Sequence, residues 1–331
     1  MMHRILLVFV DGLGLGPDGP HNPLATVGLP DVEKATGVRL VEPDVADGVE
    51  EEGLVLAPLD AVLGIEGVPQ SGTGQTAIYT GRNAQRLAGR HVPALPGGTL
   101  RELLERDSIF RLVDPRSALE TVAFANAFTS RYLDRVQRKG SRMSAALRAA
   151  RAAGVRLRDE LDLMRGHALS WDLTGEHFGV PLPALRLAPR GDRWRGFSRA
   201  DVDTIDPSVA AARLLGVAND HRLTVFETYL ADLAGHGRFV IDAEAALEKL
   251  DSFLGALLRD RTSDLTVVVT SDHGNLEDRS TAQHTLNRVP LLVLGPAYGS
   301  FAGTRGIDEV RWRIENALGV ERPSKEAQTH G

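Results

Sequence analysis

The chain has 331 residues, 43% of them hydrophobic and 25% charged, with a formal net charge of −6 and no cysteine. That length can bury a large core and allows two domains or one with an insertion, and the composition is that of an ordinary soluble globular protein. The acidic balance argues against a general nucleic-acid binder. The lack of cysteine excludes disulfides, thiolate metal sites and cysteine nucleophiles, so any metal must be held by imidazole and oxygen ligands.

No apolar run is long enough to span a membrane. The apolar stretch Ile5 to Val10 follows a basic start, as in a signal peptide, but ends in Asp11 without a small-residue cleavage pattern. It reads as a buried first strand, which places the protein in the cytoplasm. Asp11 then sits at the strand's carboxyl end, where ligand sites of open α/β sheets collect.

The following GLGLGPDGPHNPLA spells a dinucleotide fingerprint with Gly14, Gly16 and Gly19. Pro17 and Pro20 bracket its third glycine, where the fingerprint needs an uninterrupted helix, so a glycine loop is expected instead. Residues 31–60 read as helix and loop, with Glu50, Glu51 and Glu52 as a solvated surface.

In GVPQSGTGQTAIYTGRNA, residues 67–84, Pro69, Gly72 and Gly74 predict a tight turn, and Thr76 to Thr80 a helix ending near Gly81. A hydroxyl-bearing loop at a helix N-terminus favours an anion and can present a nucleophile. A simple Ser/Thr helix cap is the plainer reading. Ser71, Thr73 and Thr76 all remain open on this reading.

Residues 98–113 carry the apolar pattern of an amphipathic helix, and 121–128 that of a strand. Between 128 and 200 the texture becomes rich in Arg, Ala and Leu, with a helix around Met143 to Ala153 and then scattered Pro and Gly. This segment is expected to be a small inserted cap on a core made of 1–127 and 201–331. Its arginines between Arg131 and Arg158 form either a solvated face or an attraction for an anionic substrate. Its His167, His177, Asp172 and Glu176 lack regular metal-ligand spacing.

From Asp206 the α/β alternation resumes. Pro207 to Leu215 predicts a helix, and Leu223 to Tyr229 a strand running into Asp232 and His236, four apart and able to share one face of a turn. Val240 to Leu258 has the clearest helical periodicity. VVVTSDHGN, residues 267–275, then forms a buried strand delivering Asp272 and His273 at its exit, with Gly274 permitting a sharp turn. His284, the strand Val289 to Leu294, a helix near Ile307 to Leu318 and a polar tail holding His330 complete the chain. Strands alternating with helices predict an α/β fold with a mostly parallel sheet covered on both faces.

The strand-end residues together comprise Asp11, a hydroxyl near Ser71, Asp232, His236, Asp272, His273 and His284. Three carboxylates, three imidazoles and a potential alkoxide suffice for two metal ions, which can hold the attacking and leaving oxygens of a displacement at phosphorus. No G-x-S-x-G elbow is present.

The order Asp11, Ser71-x-x-Gly74, Asp232-x-x-x-His236, Asp272-His273-Gly274-Asn275 and His284-Thr285-x-Asn287-x-Val289-Pro290 resembles the alkaline phosphatase superfamily. Within it, the pattern is most similar to the branch of cofactor-independent phosphoglycerate mutase and phosphopentomutase. The resemblance covers the two outer thirds of the chain. It implies an alkaline phosphatase-like core in which Asp11, Ser71, Asp272 and His273 hold one divalent metal while Asp232, His236 and His284 hold the other. It makes Ser71 the nucleophile, with Thr73 the runner-up, and matches Arg82 to the branch's Gly-Arg helix end; Arg82 and Arg288 are the candidates for the substrate phosphate.

The chain departs from that pattern at Gln75, where the branch usually has His, and in a middle insertion nearer in size to a phosphopentomutase cap than to the large domain of the mutases. The Cys-x-Pro-x-Arg motif of sulfatases is missing. The expected activity is metal-dependent phosphomutase or phosphatase chemistry on a small phosphorylated metabolite through a phosphoserine, with manganese favoured over zinc by the mixed carboxylate and imidazole ligands. A phosphodiesterase or phosphonate-type hydrolase with the same site, or a member that binds metal or metabolite without turnover, are the alternatives.

Overall fold

The computed structural model describes residues 3–112, 120–138, 142–180, 185, 202–237 and 241–320. Its centre is β1, Arg4–Val10, whose side chains are buried on both faces from Ile5 onward. Successive residues of a strand point to opposite sides. Leu6, Val8 and Val10 therefore enter one apolar cluster, while Ile5, Leu7 and Phe9 enter the other. A strand apolar on both faces must sit in the middle of a sheet that helices cover on each side.

The sheet has seven strands in the order β2-β3-β7-β6-β1-β5-β4, with β2 at Val49–Glu51, β3 at Leu54–Leu59, β4 at Glu120–Phe124, β5 at His221–Thr228, β6 at Leu265–Thr270 and β7 at Val289–Leu294. β1 pairs in parallel with β5 and β6, and β4 with β5. β7 runs antiparallel to both β6 and β3, and β2 antiparallel to β3. The helices Pro207–Asn219 and Ala243–Asp260 cover one face, burying Leu214, Leu247, Leu250 and Leu254. The other face is covered by Ser71–Thr80, Gly98–Arg106, Ala145–Ala152 and Val310–Leu318.

Three sequence expectations are corrected here. Residues 31–60 contain β2 and β3, not only helix and loop. The six-residue run LVLAPL is short, does not alternate and contains Pro58, so its pattern alone did not mark a strand. The helix after Pro69 begins at Ser71 and continues through Gly72 and Gly74, where a tight turn was expected. The helix predicted over 98–113 stops at Arg106 and is followed by a single 3-10 turn at Ile109–Arg111.

Within the described part of 128–200, Val136, Met143 and Ala145 to Leu147 join the apolar cluster that contains Leu104 and Phe110, whereas Leu169 and Leu173 join the opposite one. Its arginines are partly engaged: Arg148 pairs with Glu105 and Arg156 with Asp162. Asp172 accepts the backbone N–H groups of Gly175 and His177, closing a turn. No helix of the described residues is long and apolar enough to cross a membrane. His330 lies outside the described residues.

Candidate metal centre

Because β1, β5 and β6 are parallel, their carboxyl ends share one edge of the sheet. Asp11 leaves β1 there, and its N–H donates to the carbonyl of Thr228 at the end of β5. Asp272 and His273 follow β6 directly. Asp232 and His236 come from the short helix Leu230–Gly235 that follows β5, one turn apart. His284 reaches the same edge from the opposite direction: β7 is antiparallel, so the loop that precedes it lies where the loops after its neighbours lie.

Two groups of ligand-type side chains converge among the described residues. Asp11, Asp272 and His273 form one, and Asp232, His236 and His284 the other; in each, the candidate ligand atoms lie within 4.8 Å of one another. The first group is buried, with Asp272 and His273 fully so. The second is half-buried, and the rings of His273 and His284 stack between the groups at 3.6 Å.

The ring orientations suit ligation. Nδ1 of His236 lies 2.9 Å from the carbonyl of Ala282, and Nδ1 of His284 lies 2.9 Å from that of Pro69. A carbonyl oxygen only accepts, so each Nδ1 carries the hydrogen and each Nε2 presents a lone pair. Both Nε2 atoms stand 3.4 Å from Oδ1 of Asp232. A backbone carbonyl on the far nitrogen is the usual means of fixing the tautomer of a metal-binding histidine.

The first group shows the same bias. Nε2 of His273 lies 3.2 Å from Oδ1 of Asp11, 3.7 Å from Oδ1 of Asp272 and 3.0 Å from Oγ of Ser71. Both carboxylate oxygens of Asp272 and Oδ1 of Asp11 are buried without a hydrogen-bond donor. Such groups cost several kcal/mol in a protein interior unless a proton or a cation compensates them. The residues present therefore fit divalent ions, held by Asp11, Asp272 and His273 in one place and by Asp232, His236 and His284 in the other.

The electrostatics of the side chains point the same way. Burial pushes the Asp272 carboxyl well above its usual range, with Asp11 adding to the effect. Burial works against charge on His273, but Asp272 and Asp11 beside it hold its pKa at about 10. At Asp232, burial is outweighed by the imidazoles of His236, His284 and His273 around it, which keep the carboxyl well below its ordinary value. Crowded negative charge that draws protons onto its neighbours is an environment a cation stabilises.

Ser71 opens the ten-residue helix Ser71–Thr80, so its hydroxyl stands at a positive helix end beside the first group. Gly74 is what lets this helix approach: a Cβ there would lie 2.7 Å from Cβ of Asp272 and 2.8 Å from its carbonyl oxygen. Thr73, the other nucleophile candidate, is buried; its hydroxyl donates to the carbonyl of Gln70 and accepts the N–H of Val92. Thr76 donates to the carbonyl of Gly72. Gln75, which replaces the expected histidine, reaches Oδ2 of Asp11 with its amide at 3.4 Å.

Arg82, a candidate for the substrate phosphate, stands away from the two groups. It lies just past the C-terminal cap of the Ser71–Thr80 helix, about 15 Å along the axis from Ser71, where it pairs with Asp107 and lies over the Trp312 ring. Arg288 is exposed just before β7, and its carbonyl accepts the N–H of Leu15, so it stands at the same rim as the ligands.

Two polar residues near these groups were given no role from the sequence. Asn275 donates to Oδ1 and the carbonyl of Asp232. Glu227, buried in β5, accepts hydrogen bonds at 2.6 Å from both Tyr79 and Tyr229. Asn275 could have been suspected from its place in the Asp-His-Gly-Asn run; Glu227, one acidic residue in an apolar strand, gave no sign of its two tyrosine partners.

Residues 208–319 match the family model of the Metalloenzyme superfamily. This part of the chain is similar to that superfamily. The match contains Asp232, His236, Asp272, His273 and His284, while Asp11 and Ser71 precede it. The chain is similar to the 2,3-bisphosphoglycerate-independent phosphoglycerate mutase of Mycoplasmoides gallisepticum, 36% identical over 112 residues, which cover 30% of this chain and 22% of that protein. It is also similar to the phosphopentomutase of Syntrophotalea carbinolica, 37% identical over 107 residues, 31% of this chain and 27% of that protein. The matches thus span about a quarter of the length of these curated relatives. Among solved structures, the alkaline phosphatase from the Antarctic bacterium TAB5 superposes with a TM-score of 0.50 at 15% identity, covering 97% of this chain and all of that one. The fold of the chain is alkaline phosphatase-like.

Proposed function

We propose that the protein is a two-metal phosphoryl-transfer enzyme, a phosphomutase or phosphatase for a small phosphate monoester, with Ser71 as the nucleophile. The observation that carries this reading is the position of the Ser71 hydroxyl. It lies 3.0 Å from Nε2 of His273, at a helix N-terminus, against the carboxylates of Asp11 and Asp272, of whose four oxygens three lack a donor. The similarity to a phosphoglycerate mutase and a phosphopentomutase supports the same class of substrate.

Asp11, Asp272 and His273, with Ser71, would hold one ion, and Asp232, His236 and His284 the other; manganese suits their mixed oxygen and imidazole ligands, with zinc close behind. Bound there, such ions supply the positive charge that offsets phosphoryl oxygens and acidifies a serine hydroxyl. The remaining roles belong to the chain. The positive end of the Ser71–Thr80 helix favours the phosphoryl group, and Arg288 at the rim adds a guanidinium. Ser71 Oγ attacks phosphorus in line; the P–Oγ bond forms as the bond to the departing alcohol oxygen breaks. A hydroxyl of the acceptor then takes the phosphoryl group from Ser71 in a mutase, and water does so in a phosphatase.

The test is metal content together with p-nitrophenyl phosphate turnover in the wild type and in Ser71→Ala. Bound divalent ions in both proteins, with turnover only in the wild type, is the expected result. Equal turnover in the two removes Ser71 from its role, and a wild type that takes up no divalent ion ends the metal reading.

A further inference from the structure

The glycine run after β1 is not explained by the metal ligands or the nucleophile, and it lies against a buried carboxylate outside either group. Glu277 is 1% exposed. Its Oε2 accepts the N–H of Gly14 at 3.1 Å and that of Asn275 at 2.8 Å; its Oε1 accepts the amide of Asn287 at 3.0 Å and the hydroxyl of Thr285. Those four donors lie on three loops: the one after Asp11, the one after His273 and the one after His284.

The glycines are the counterpart of this carboxylate. A Cβ at Gly14 would fall 2.3 Å from the carboxyl carbon of Glu277, one at Gly274 would fall 2.2 Å from Oε1, and one at Gly16 would lie 2.9 Å from its Cγ. Any side chain at Gly14 or Gly274 would expel the carboxylate from the point where the three loops meet. From there the bonding continues to the second ligand group, because Asn275, whose N–H Glu277 holds, donates its side-chain amide to Asp232.

We propose that Glu277 is a positioning residue: it clamps the three ligand-bearing loops to one another and so sets the placement of Asp11, His273 and His284 before any ion binds. It touches neither group itself. The consequence for metal affinity rests on the metal-binding reading above, whereas the clamping does not. Outer-sphere partners of this kind typically govern metal affinity by about 10–100-fold. The four bonds all end on acceptor oxygens, so Glu277→Gln turns one oxygen into an amide that faces two donors and breaks the clamp while preserving the volume.

The test uses the full chain. Amide hydrogen exchange of metal-free wild type and Glu277→Gln is compared by mass spectrometry, followed by titration of each with Mn2+ alone. The expected result is faster exchange in segments 12–16, 274–278 and 284–288, with 243–260 and 265–270 unchanged, and Mn2+ binding weakened about 10–100-fold. Unchanged exchange in the three loops overturns the clamp, and so does a uniform rise across the molecule, which marks an ordinary core residue. A second pair, Thr285→Val and Asn287→Ala, removes donors from one loop only, and faster exchange confined to 284–288 is expected. Should Glu277→Gln fail to fold, this pair decides, and unchanged exchange in it overturns the proposal. If the wild type binds no Mn2+, the metal reading fails while the exchange data still decide the clamp.

Discussion

The side-chain amide of Asn275 donates to Oδ1 of Asp232 at 2.9 Å. With a second bond from the same amide to the Asp232 carbonyl, it joins the loop that carries His273 to the helix that carries Asp232, so the two groups share a polar support as well as the stacked rings of His273 and His284.

Removal of that bond should be felt at the half-buried group. In Asn275→Ala, Mn2+ affinity should fall about 10–100-fold, while the melting temperature of the metal-free protein moves little. Isothermal titration checks this; an unaltered binding isotherm would show that Asp232 does not depend on Asn275 for its orientation.

The two hydroxyls at the start of the Ser71–Thr80 helix should behave differently. Ser71→Ala should lower turnover by on the order of a thousandfold or more. Thr73→Val should keep most of the activity and lose stability by about 1 kcal/mol, since the Thr73 hydroxyl spans the Gln70 carbonyl and the Val92 N–H. Steady-state kinetics and urea denaturation separate them, and the reverse ranking would transfer the nucleophile to Thr73.

Gly74→Ala places a methyl group against Asp272 at 2.7 Å, where backbone as well as side chain resists. The helix has to retreat from the end of β6, at a cost of about 1–3 kcal/mol, and Ser71 moves with it. Lower thermal stability and lower turnover should therefore appear together; a variant as stable as the wild type would mean that the contact relaxes freely.

Burial pushes the Glu227 carboxyl from its usual 4.5 up to about 7, against the hydrogen bonds from Tyr229 and Tyr79. A carboxyl with a raised folded pKa binds more protons in the native state between its unfolded and folded values, so stability falls as pH rises through that interval. Asp272, also raised by burial, acts in the same sense. Melting of the chelator-treated protein should thus weaken from about pH 5 to about pH 7, and Glu227→Gln should flatten the decline by up to about 1.4 kcal/mol per pH unit. A slope identical to that of the wild type would rule out Glu227 as its source.

The two arginines make a paired comparison. Arg82→Ala, at the far end of the nucleophile helix, should leave KM for p-nitrophenyl phosphate within about twofold. Arg288→Ala, at the rim, should raise it several-fold by removing a charge-assisted contact to phosphate. A rise in KM for Arg82→Ala alone would reverse this assignment.

Much of the fold was legible because it rests on local patterns. β1, β5 and β6 announce themselves as apolar runs that end in acidic or imidazole residues, and the Ala243–Asp260 helix by its 3.6-residue period. β3 escaped notice because a short run holding Pro58 has no distinctive period. Glu227 and Glu277 escaped because their roles depend on partners 148 residues away, at Tyr79, and 263 residues away, at Gly14.

What the chain's letters determined unaided was the inventory: seven ligand-type and nucleophilic residues, each placed beside a strand or helix end by local hydrophobic pattern and turn chemistry. Their grouping was implied by the family resemblance, and only the tertiary structure shows the geometry that brings each group together. The antiparallel course of β7 brings the loop before it, with His284, to the edge where Asp11, Asp232 and Asp272 leave the strands before them. Strand direction is set by pairing between distant segments, and no local periodicity encodes it. The length of the ten-residue helix that begins at Ser71 carries Arg82 away from that edge.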